Sequence, residues 1–227
     1  MTTRRTDGEH HRWARDKLIR TLERRGIRDR RVLDALRAVP RHLFIPSEQF
    51  KQQAYEDYAL PIGAEQTISQ PWVVARMTEL LGVDSEHSVL EIGTGSGYQC
   101  AVLAQLARRV YSLERIGALA RKAIERIRSL GLTNVKIQIF DGTVGWSDVA
   151  PFDRVMITAA APSVPKPLLD QLATPGRLVV PEGERHEQRL VTYIKNEQGA
   201  VGRHVGEAVT FVPLIGRHGW SAKTSGR

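Results

Sequence analysis

Cysteine is nearly absent from this sequence of 227 residues, in which Cys100 is the only one. A single thiol excludes an internal disulfide and any zinc site built from several cysteines. No apolar run approaches the ~20 residues of a transmembrane helix, and the arginine-rich N-terminus differs from a secretory signal. We therefore expect a cytoplasmic protein in a reducing compartment, with no membrane partner and no metal.

Aromatic residues are also scarce, at 6% of the chain, and the positive charge is unevenly distributed. Residues 1–41 contain thirteen Arg and Lys against six Asp and Glu, which is +7 of the total +8 and leaves the other 186 residues nearly neutral. This basic segment could bind nucleic acid or acidic partners. Its arginines alternate with acids, and Trp13 is its one aromatic, so we favour a solvated helix face and expect no nucleic-acid partner.

The spacing of apolar residues gives the order of the secondary structure. It predicts a helix over residues 13–24 and a second helix after Asp29, a suitable N-cap. Strands alternate with helices further on, and two apolar segments near the end have no helix between them. This order predicts an α/β fold, a doubly wound, Rossmann-like and mostly parallel sheet with an antiparallel C-terminal end and N-terminal helices. The predicted strands cover residues 89–92, 110–114, 135–140, 152–158, 177–181, 188–195 and 205–213.

A glycine-rich turn joins the first of these strands to the next helix. Gly93, Gly95 and Gly97 would let the backbone approach a ligand closely, because glycine has no Cβ. A dinucleotide fingerprint would place the third glycine one residue later. With Glu91 two residues before the first glycine, the pattern resembles the first motif of S-adenosylmethionine-dependent methyltransferases instead. An ordinary tight turn is the third interpretation.

Two further acidic residues end the next two strands. Glu114 follows Gly93 by 21 residues, where a carboxylate binds the ribose hydroxyls of an adenosine cofactor. Asp141, which precedes Gly142, could accept a hydrogen bond from an adenine amino group. Either could also be a surface carboxylate, but their offsets from one glycine turn favour a cofactor site.

Residues 64–71 are polar and have neither helical nor strand periodicity, so we expect a loop, the kind of segment that often carries binding residues. Ser69, two residues before Pro71, matches the N-cap of a helix over residues 72–81, and the local pattern alone favours that role. His42 could be a base or a ligand, but nothing near it has metal-binding spacing, so we interpret it as structural.

Taken together, these segments resemble the protein-L-isoaspartate (D-aspartate) O-methyltransferase family. The segment 66–71, Gln-Thr-Ile-Ser-Gln-Pro, is far more specific than the glycine turn, and it favours a catalytic Ser69 over a capping one. The similarity extends from about Val39 to Ile215. It covers residues 39–41, 44, 46, 58–60, 66–71, 89–98, 114–115, 141–142, 151–153, 158–165, 178–181 and 211–214.

The resemblance implies a fold and a reaction. The fold is that of an S-adenosylmethionine-dependent methyltransferase, in one domain with a basic N-terminal extension or helix (1–35), a catalytic core (36–215) and a flexible tail (216–227). The reaction transfers a methyl group from S-adenosylmethionine to the free α-carboxyl of L-isoaspartyl and D-aspartyl residues in damaged proteins and peptides. The resulting ester cyclises to a succinimide, which begins repair. We expect the enzyme to be a monomer.

The resemblance also implies roles for individual residues. Ser69 would be the active-site hydroxyl. The cofactor would be bound by Glu91, Gly93, Thr94, Gly95, Gly97, Glu114, Arg115, Asp141 and Gly142. The substrate would be bordered by Thr67, Ile68, Ser69, Ala159, Ala160 and Ala161.

Two departures from the family pattern concern the peptide side of the site. Glu182 stands where valine is usual, and Thr210 stands where bacterial members often have arginine. Separately, a methyltransferase for another acceptor, a dedicated peptide or RNA, is the first alternative, and the basic segment mildly favours RNA. A non-catalytic protein that binds S-adenosylmethionine is the second alternative.

Overall fold

The computed structural model describes residues 8–221 and begins with two helices, α1 (Glu9–Arg24) and α2 (Arg30–Ala38). Their apolar sides are buried, and Asp29 caps α2 by accepting a 2.9 Å hydrogen bond from the backbone N–H of Arg31. Both predicted helices are present, and α1 begins four residues earlier than the apolar spacing indicated. None of the helices in the described part of the chain is long and apolar enough to span a membrane.

A 3₁₀ helix (Arg41–Phe44), a short α3 (Glu48–Lys51) and a hairpin of β1 (Leu60–Gly63) and β2 (Gln66–Ile68) connect α2 to α4 (Pro71–Leu81). One prediction was wrong here, since residues 66–68, which we expected to lie in a loop, form a strand. A three-residue strand is too short to show alternation. The hairpin turn is Ala64–Glu65, with φ of 52° and 56°, and lacks the Asn-Gly or Asp-Gly pair that signals such turns.

The central sheet has seven strands in the order β5-β4-β3-β6-β7-β8-β9. The strands from β3 to β7 are parallel, whereas β8 and β9 are antiparallel to their neighbours. This sheet confirms the predicted doubly wound, Rossmann-like fold with its antiparallel C-terminal end. The strands are β3 (Ser88–Ile92), β4 (Arg109–Glu114), β5 (Val135–Ile139), β6 (Phe152–Ile157), β7 (Leu172–Glu184), β8 (Glu187–Lys195) and β9 (Val201–Val209).

Helices cover both faces of the sheet because the side chains of each strand alternate between them. On one face, Val89 of β3 packs in a cluster with residues of α4 and α5 (Tyr98–Ala104), while α6 (Gly117–Ser129) lies against β4 and β5. On the other face, Leu90 belongs to a cluster that includes Leu168 of α7 (Lys166–Asp170). A third cluster joins α1, α2 and the hairpin to α4 and α6.

The direction of strand order reverses beside β3. The chain proceeds from β3 to β4 and β5 on one side, then returns to β6 on the other side. In such sheets a crevice opens at the carboxyl ends of the strands where the order reverses, and ligands bind there. The glycine turn follows β3 and therefore lies at this crevice.

The C-terminal segment differs from its predictions. The last strand ends at Val209, before residues 210–213, and residues 216–220 form a turn closed by the hydrogen bond from the N–H of Gly219 to the carbonyl of Gly216. The N–H of Arg217 also bonds to Asp141, at 2.8 Å. The described part of the expected flexible tail is thus hydrogen-bonded to the core. Residues 1–7 and 222–227 lie outside the described residues.

Candidate active site

A cleft opens at the carboxyl ends of the central parallel strands. One side is formed by the glycine turn and by residues after β4, and the other by β2 and the segment that follows it. The lining residues are Gln66, Thr67, Ile68, Ser69, Val74, Met77, Ile92, Gly93, Thr94, Gly95, Ser96, Tyr98, Gln99, Leu113, Glu114, Arg115, Ile116, Gly142, Thr158, Ala159, Val212, Pro213, Leu214 and Ile215.

The glycine turn has a backbone that requires glycine. The φ angles of Gly93, Gly95 and Gly97 are 95°, 52° and 89°, in the left-handed region that other residues rarely adopt. A Cβ on Gly93 would lie 2.5 Å from Oγ1 of Thr158, so the position also has no room for a side chain. Thr158 Oγ1 lies 2.6 Å from the carbonyl oxygen of Gly93 and fixes the turn against β6. Gly97 packs on Ala123 of α6 and does not reach the cleft.

Glu114 stands at the end of β4 with its carboxylate fixed by backbone groups. Oε2 accepts a 2.9 Å hydrogen bond from the N–H of Gly95, and Oε1 accepts a 2.8 Å bond from the N–H of Ile116. A carboxylate has about four acceptor positions, so two remain for a ligand. Glu114 and Arg115 both line the cleft, and Ile116 beside them offers an apolar surface. This arrangement suits the hydroxyls and base of an adenosine-containing cofactor.

Glu91 lies behind the turn. Its side chain is fully buried, and Oε2 accepts a hydrogen bond of 2.5 Å from the hydroxyl of Ser112. Ser112 Oγ in turn lies 2.6 Å from Thr94 Oγ1, and Thr94 lines the cleft. Burial raises the pKa of Glu91 to about 8, more than the Ser112 hydrogen bond lowers it. Glu91 is therefore mostly protonated at pH 7 and can act on a ligand only through Ser112 and Thr94.

Asp141 and Gly142 follow β5. Oδ1 of Asp141 accepts hydrogen bonds from the N–H of Thr143 at 2.9 Å and its hydroxyl at 2.7 Å, while Oδ2 accepts the bond from Arg217. Burial alone would raise the pKa of Asp141, but these bonds outweigh burial and lower it. The carboxylate thus holds the C-terminal turn and does not line the cleft. Gly142 does line it, and a Cβ there would lie 2.4 Å from Ile92 Cγ2.

The segment with Ser69 follows β2. Thr67, Ile68 and Ser69 line the cleft, and no hydrogen bond of the Ser69 hydroxyl occurs within residues 8–221. The N-cap position of α4 is Gln70, not Ser69, so the local preference for a capping serine was wrong. The α4 N–H of Trp72 bonds instead to the Asp57 carboxylate, at 2.8 Å. The Ser69 hydroxyl is consequently available to a ligand.

Arg41 fixes this segment from behind, a role that the sequence analysis missed. Its guanidinium is fully buried and donates to the backbone carbonyls of Ala54 at 2.8 Å and Ser69 at 2.9 Å. It also lies over the Tyr98 ring, 4.9 Å from the centroid. Burial lowers the pKa of Arg41 to about 10, so the charge persists at pH 7. The sequence signal for a buried arginine at this position is its closeness to the apolar residues Phe44 and Ile45.

The three alanines after β6 are held in an extended segment. Ala160 exchanges hydrogen bonds with Val212 and Leu214, at 2.8 and 2.7 Å, while Ala161 bonds to Pro181 and Gly183 at 3.0 Å each. Ala159 lines the cleft, whereas Ala160 and Ala161 do not. Glu182, one of the departures from the family pattern, accepts hydrogen bonds from Tyr193 and Arg203 beside this segment.

His42 lies away from the cleft, as expected for a structural histidine. Its ring stacks on His11 with centroids 3.9 Å apart, and Nδ1 lies 2.8 Å from the hydroxyl of Tyr55. The cleft therefore unites most of the predicted residues but not all of them. The predicted residues that do not line it are Glu91, Gly97, Asp141, Ala160 and Ala161.

The sheet, the glycine turn at its crevice and Glu114 at the next strand end define a Rossmann-like methyltransferase of the S-adenosylmethionine-dependent class. The sequence model of protein-L-isoaspartate(D-aspartate) O-methyltransferase matches residues 13–219. The chain belongs to that family. The match includes α2 and most of α1, beyond the 36–215 core that the resemblance outlined.

Individual relatives cover nearly the whole chain. A Syntrophobacter fumaroxidans protein-L-isoaspartate O-methyltransferase is 52% identical over 208 residues, which are 91% of this chain and 96% of the relative. The Geobacter metallireducens enzyme is 51% identical, with coverage of 92% and 97%. A solved protein-L-isoaspartate O-methyltransferase superposes with a TM-score of 0.82 at 28% identity, over 90% of this chain and 67% of the other. A Plasmodium falciparum structure in complex with S-adenosyl-L-homocysteine has a TM-score of 0.76 at 26% identity, over 92% and 99%.

Proposed function

We propose that this protein transfers the methyl group of S-adenosylmethionine to the free α-carboxyl of L-isoaspartyl and D-aspartyl residues in damaged proteins, which starts their repair through a succinimide. The observation that carries this proposal is that the glycine turn and the Ser69 segment line the same cleft. The membership of the chain in the protein-L-isoaspartate O-methyltransferase family supports the same reaction.

S-Adenosylmethionine would supply a methyl group on a positively charged sulfur when bound. We assign its binding to residues that line the cleft, which are Gly93, Thr94, Gly95, Glu114, Arg115 and Gly142. Gly97 would contribute by shaping the turn. The space that a Cβ at Gly93 or Gly142 would need is already filled, so only bare backbone is present at these two points of the wall. The free acceptor positions of Glu114 suit ribose hydroxyls. Glu91 and Asp141 would contribute by holding Thr94 and the C-terminal turn.

Ser69 would orient the substrate carboxylate. An α-carboxyl is ionised at pH 7, so the acceptor needs no general base, and none of the cleft-lining residues is a histidine. The hydroxyl can donate to one carboxylate oxygen and leave the other free to attack. A lysine or arginine at this position would stabilise the ionised ground state more than the transition state, in which the charge is being lost.

The backbone around the acceptor suits a polypeptide substrate with variable side chains. Thr67, Ile68 and Ala159 border the cleft next to Ser69, and Ala160 and Ala161 continue the edge as an extended segment. Ala160 and Ala161 are buried, and their N–H and C=O groups are already hydrogen-bonded, so they would hold this edge in place and would not contact the peptide themselves. We assign Thr67, Ile68 and Ala159 to peptide binding, and Ala160 and Ala161 to the support of Ala159.

The decisive experiment uses an isoaspartyl peptide, its normal aspartyl twin and S-adenosylmethionine labelled on the methyl group. We expect label in a base-labile ester on the isoaspartyl peptide alone. Cofactor binding without transfer to either peptide would contradict the proposed acceptor and would direct the search to RNA or a dedicated peptide. Failure to transfer to any aged protein would indicate a non-catalytic binding module.

The cofactor assignments have their own test. Glu114→Ala should weaken S-adenosylmethionine binding because it removes the acceptors at the end of β4, and Asp141→Ala should weaken it less, through the C-terminal turn. Calorimetric titration measures both affinities. An unchanged affinity in either variant would remove that residue from the cofactor site.

We further propose that the protein is monomeric and cytoplasmic. Cys100 is fully buried, and burial raises the pKa of its thiol well above the ordinary value, so it is suited to remaining reduced. Light scattering coupled to gel filtration would test the monomer. A mass of twice 25.4 kDa would contradict it.

A further inference from the structure

The exposed side of α1 carries positive charges that the cleft does not use. Trp13, Lys17, Arg20 and Arg24 are spaced by four, three and four residues, so they form one line along the helix. All four are exposed, and the Trp13 ring is 61% accessible. Lys17 Nζ lies 5.7 Å from the centroid of that ring. The line is about 16 Å long at ~1.5 Å per residue, which is the length of about five residues of extended peptide. We call these four residues the α1 line.

Few of these charges are neutralised by neighbouring acids. Within residues 8–41, four of the five acidic side chains are already paired with Arg30, Arg31 or Arg37, and the fifth is the exposed Glu9. Several exposed cations have no salt bridge within residues 8–221. These are Arg12, Lys17, Arg20, Arg24 and Arg28. The surface is therefore a concentrated positive patch on an otherwise nearly neutral molecule.

The α1 line ends beside the segment that carries Ser69. Arg25, next to Arg24, lies over the ring of Trp72, 4.8 Å from its centroid, and its carbonyl accepts a 3.4 Å hydrogen bond from Trp72 Nε1. Arg25 also pairs with Asp57, whose carbonyl accepts a 2.8 Å bond from the side chain of Gln70. Gln70 follows Ser69 directly. A polypeptide that leaves the cleft past Gln70 and Trp72 reaches the C-terminal end of α1.

We propose that the α1 line is a docking surface for acidic segments of protein substrates, which it holds while their isoaspartyl residue occupies the neighbouring cleft. The proposal rests on the proposed function. Carboxylates complement the unpaired cations, and a positive field speeds the encounter with an anionic substrate. An acidic polypeptide is favoured over nucleic acid because the adjoining cleft is assigned to a peptide acceptor and because, within the α1 line, Trp13 alone could stack on bases.

The first test compares isoaspartyl peptides that carry four glutamates or four glutamines at increasing distances on either side of the isoaspartyl residue. We expect the glutamate peptide to have a KM about fivefold lower than its glutamine twin at low ionic strength, with kcat unchanged. This difference should occur only when the four glutamates lie on one side of the isoaspartyl residue and within one range of distances from it. The difference should vanish near 1 M salt, where the screening length falls to about 3 Å. Equal KM values for all pairs would overturn the proposal.

The second test reverses the charges of the α1 line by combining Lys17→Glu, Arg20→Glu and Arg24→Glu. A matched control combines Arg108→Glu, Arg109→Glu and Arg128→Glu. These three arginines are exposed, and their substitution changes the net charge by the same amount. Arg109 begins β4, at the end of the sheet opposite the cleft. The α1 variant should lose the preference for glutamate peptides while its rate on glutamine peptides stays unchanged, and the control should keep the preference. An equal loss in both variants would show an effect of net charge alone and overturn the proposal.

Two measurements separate this proposal from its alternatives. If the wild-type protein methylates no isoaspartyl peptide, the proposed function fails, and fluorescence anisotropy with labelled polyglutamate still tests the surface. Polyglutamate binding that the α1 variant loses and the control keeps would then support docking. Binding of a single-stranded RNA that depends on the α1 line, with no preference for glutamate, would overturn it.

Discussion

The two walls of the cleft are built in different ways. The wall assigned to the cofactor combines the Glu114 carboxylate with backbone that is packed closely. Added Cβ atoms at Gly93 and Gly142 would lie 2.5 Å or less from neighbouring side chains. The wall assigned to the acceptor is a short segment after a two-stranded hairpin. Long polar side chains hold it, Arg41 through the carbonyl of Ser69 and Gln70 through that of Asp57.

This difference indicates how each wall responds to substitution. A close-packed backbone binds by shape and tolerates no added atom, so changes there should lower affinity for the cofactor. A segment held by a few hydrogen bonds positions one hydroxyl, so changes there should lower turnover and leave the cofactor bound. Substitutions on the two walls test this contrast.

Gly93→Ala should have the largest effect. Its φ of 95° disfavours alanine, and the new Cβ would lie 2.5 Å from Thr158 Oγ1, which must move and release the turn. We expect affinity for S-adenosylmethionine to fall about 100-fold, which corresponds to about 2.7 kcal/mol. Titration calorimetry measures it.

Gly26→Ala is the matched control for Gly93→Ala. Gly26 has a φ of 98°, but its added Cβ would have no heavy atom within 4 Å. This variant should lose about 1 kcal/mol of unfolding free energy through backbone strain alone, with cofactor affinity unchanged. Equal affinities in the two alanine variants would contradict the idea that the wall binds by its close packing.

Ser69→Ala should come next, with kcat on an isoaspartyl peptide about 30-fold lower and cofactor affinity unchanged. The substitution removes the one hydroxyl that we assign to the carboxylate, and orientation losses of about 2 kcal/mol are typical of such changes. Stopped-flow transfer rates and titration measure the two quantities. Ser47→Ala, in the turn before α3, serves as the control with no expected change. A parallel loss of cofactor affinity would assign Ser69 to structure.

The wall assigned to the cofactor could be predicted from the sequence more fully than the wall assigned to the acceptor. The three glycines and the acids at positions 91, 114 and 141 have fixed offsets, because each follows from a strand ending at one edge of the sheet. The carboxyl ends of parallel strands lie at one edge of the sheet in every such fold. The local sequence pattern therefore determines at which edge of the sheet these residues lie. The mostly parallel sheet with its antiparallel end could be predicted because strands alternate with helices until the last two strands. The N-cap at Asp29 could be predicted because a cap is a local signal.

The acceptor wall depends on contacts between distant parts of the chain. Arg41 reaches Ser69 across 28 positions, and no local periodicity encodes that hydrogen bond. The burial of an acidic side chain is equally hidden in the sequence. Glu91 and Glu114 both lie at or near the carboxyl ends of apolar strands, yet only Glu114 lines the cleft. Asp141 accepts from a turn 76 positions away, which a strand-end pattern cannot reveal.

Arg41→Lys should have a smaller effect than Ser69→Ala. Lysine keeps the charge but cannot place two directed N–H groups toward the carbonyls of Ala54 and Ser69, so one of these buried carbonyls loses its partner. We expect kcat/KM for the peptide to fall about tenfold, with cofactor affinity unchanged. Steady-state kinetics and titration check this. Arg37→Lys, on the exposed part of α2, is the control. A tenfold loss of cofactor affinity in Arg41→Lys would contradict the separation of the two walls.

Glu91→Gln should have the smallest effect on function and a measurable effect on stability. Glutamine keeps an acceptor for Ser112, so we expect cofactor affinity to change less than about threefold. The pKa of Glu91 is raised to about 8 in the folded protein, while in the unfolded chain it returns to its ordinary value of 4.5. Between these values the folded state binds the extra proton, so the free energy of unfolding of the wild type falls as pH rises, by up to about 1.4 kcal/mol per pH unit.

The variant lacks this proton, so its stability relative to the wild type should increase from pH 5 to pH 8 and then level off. Urea unfolding at several pH values measures the difference, which should be on the order of a few kcal/mol at its maximum. A constant difference across this range would show that Glu91 is ionised in the folded protein. A large loss of cofactor affinity in Glu91→Gln would return this carboxyl to the binding wall, beside the Glu114 carboxylate.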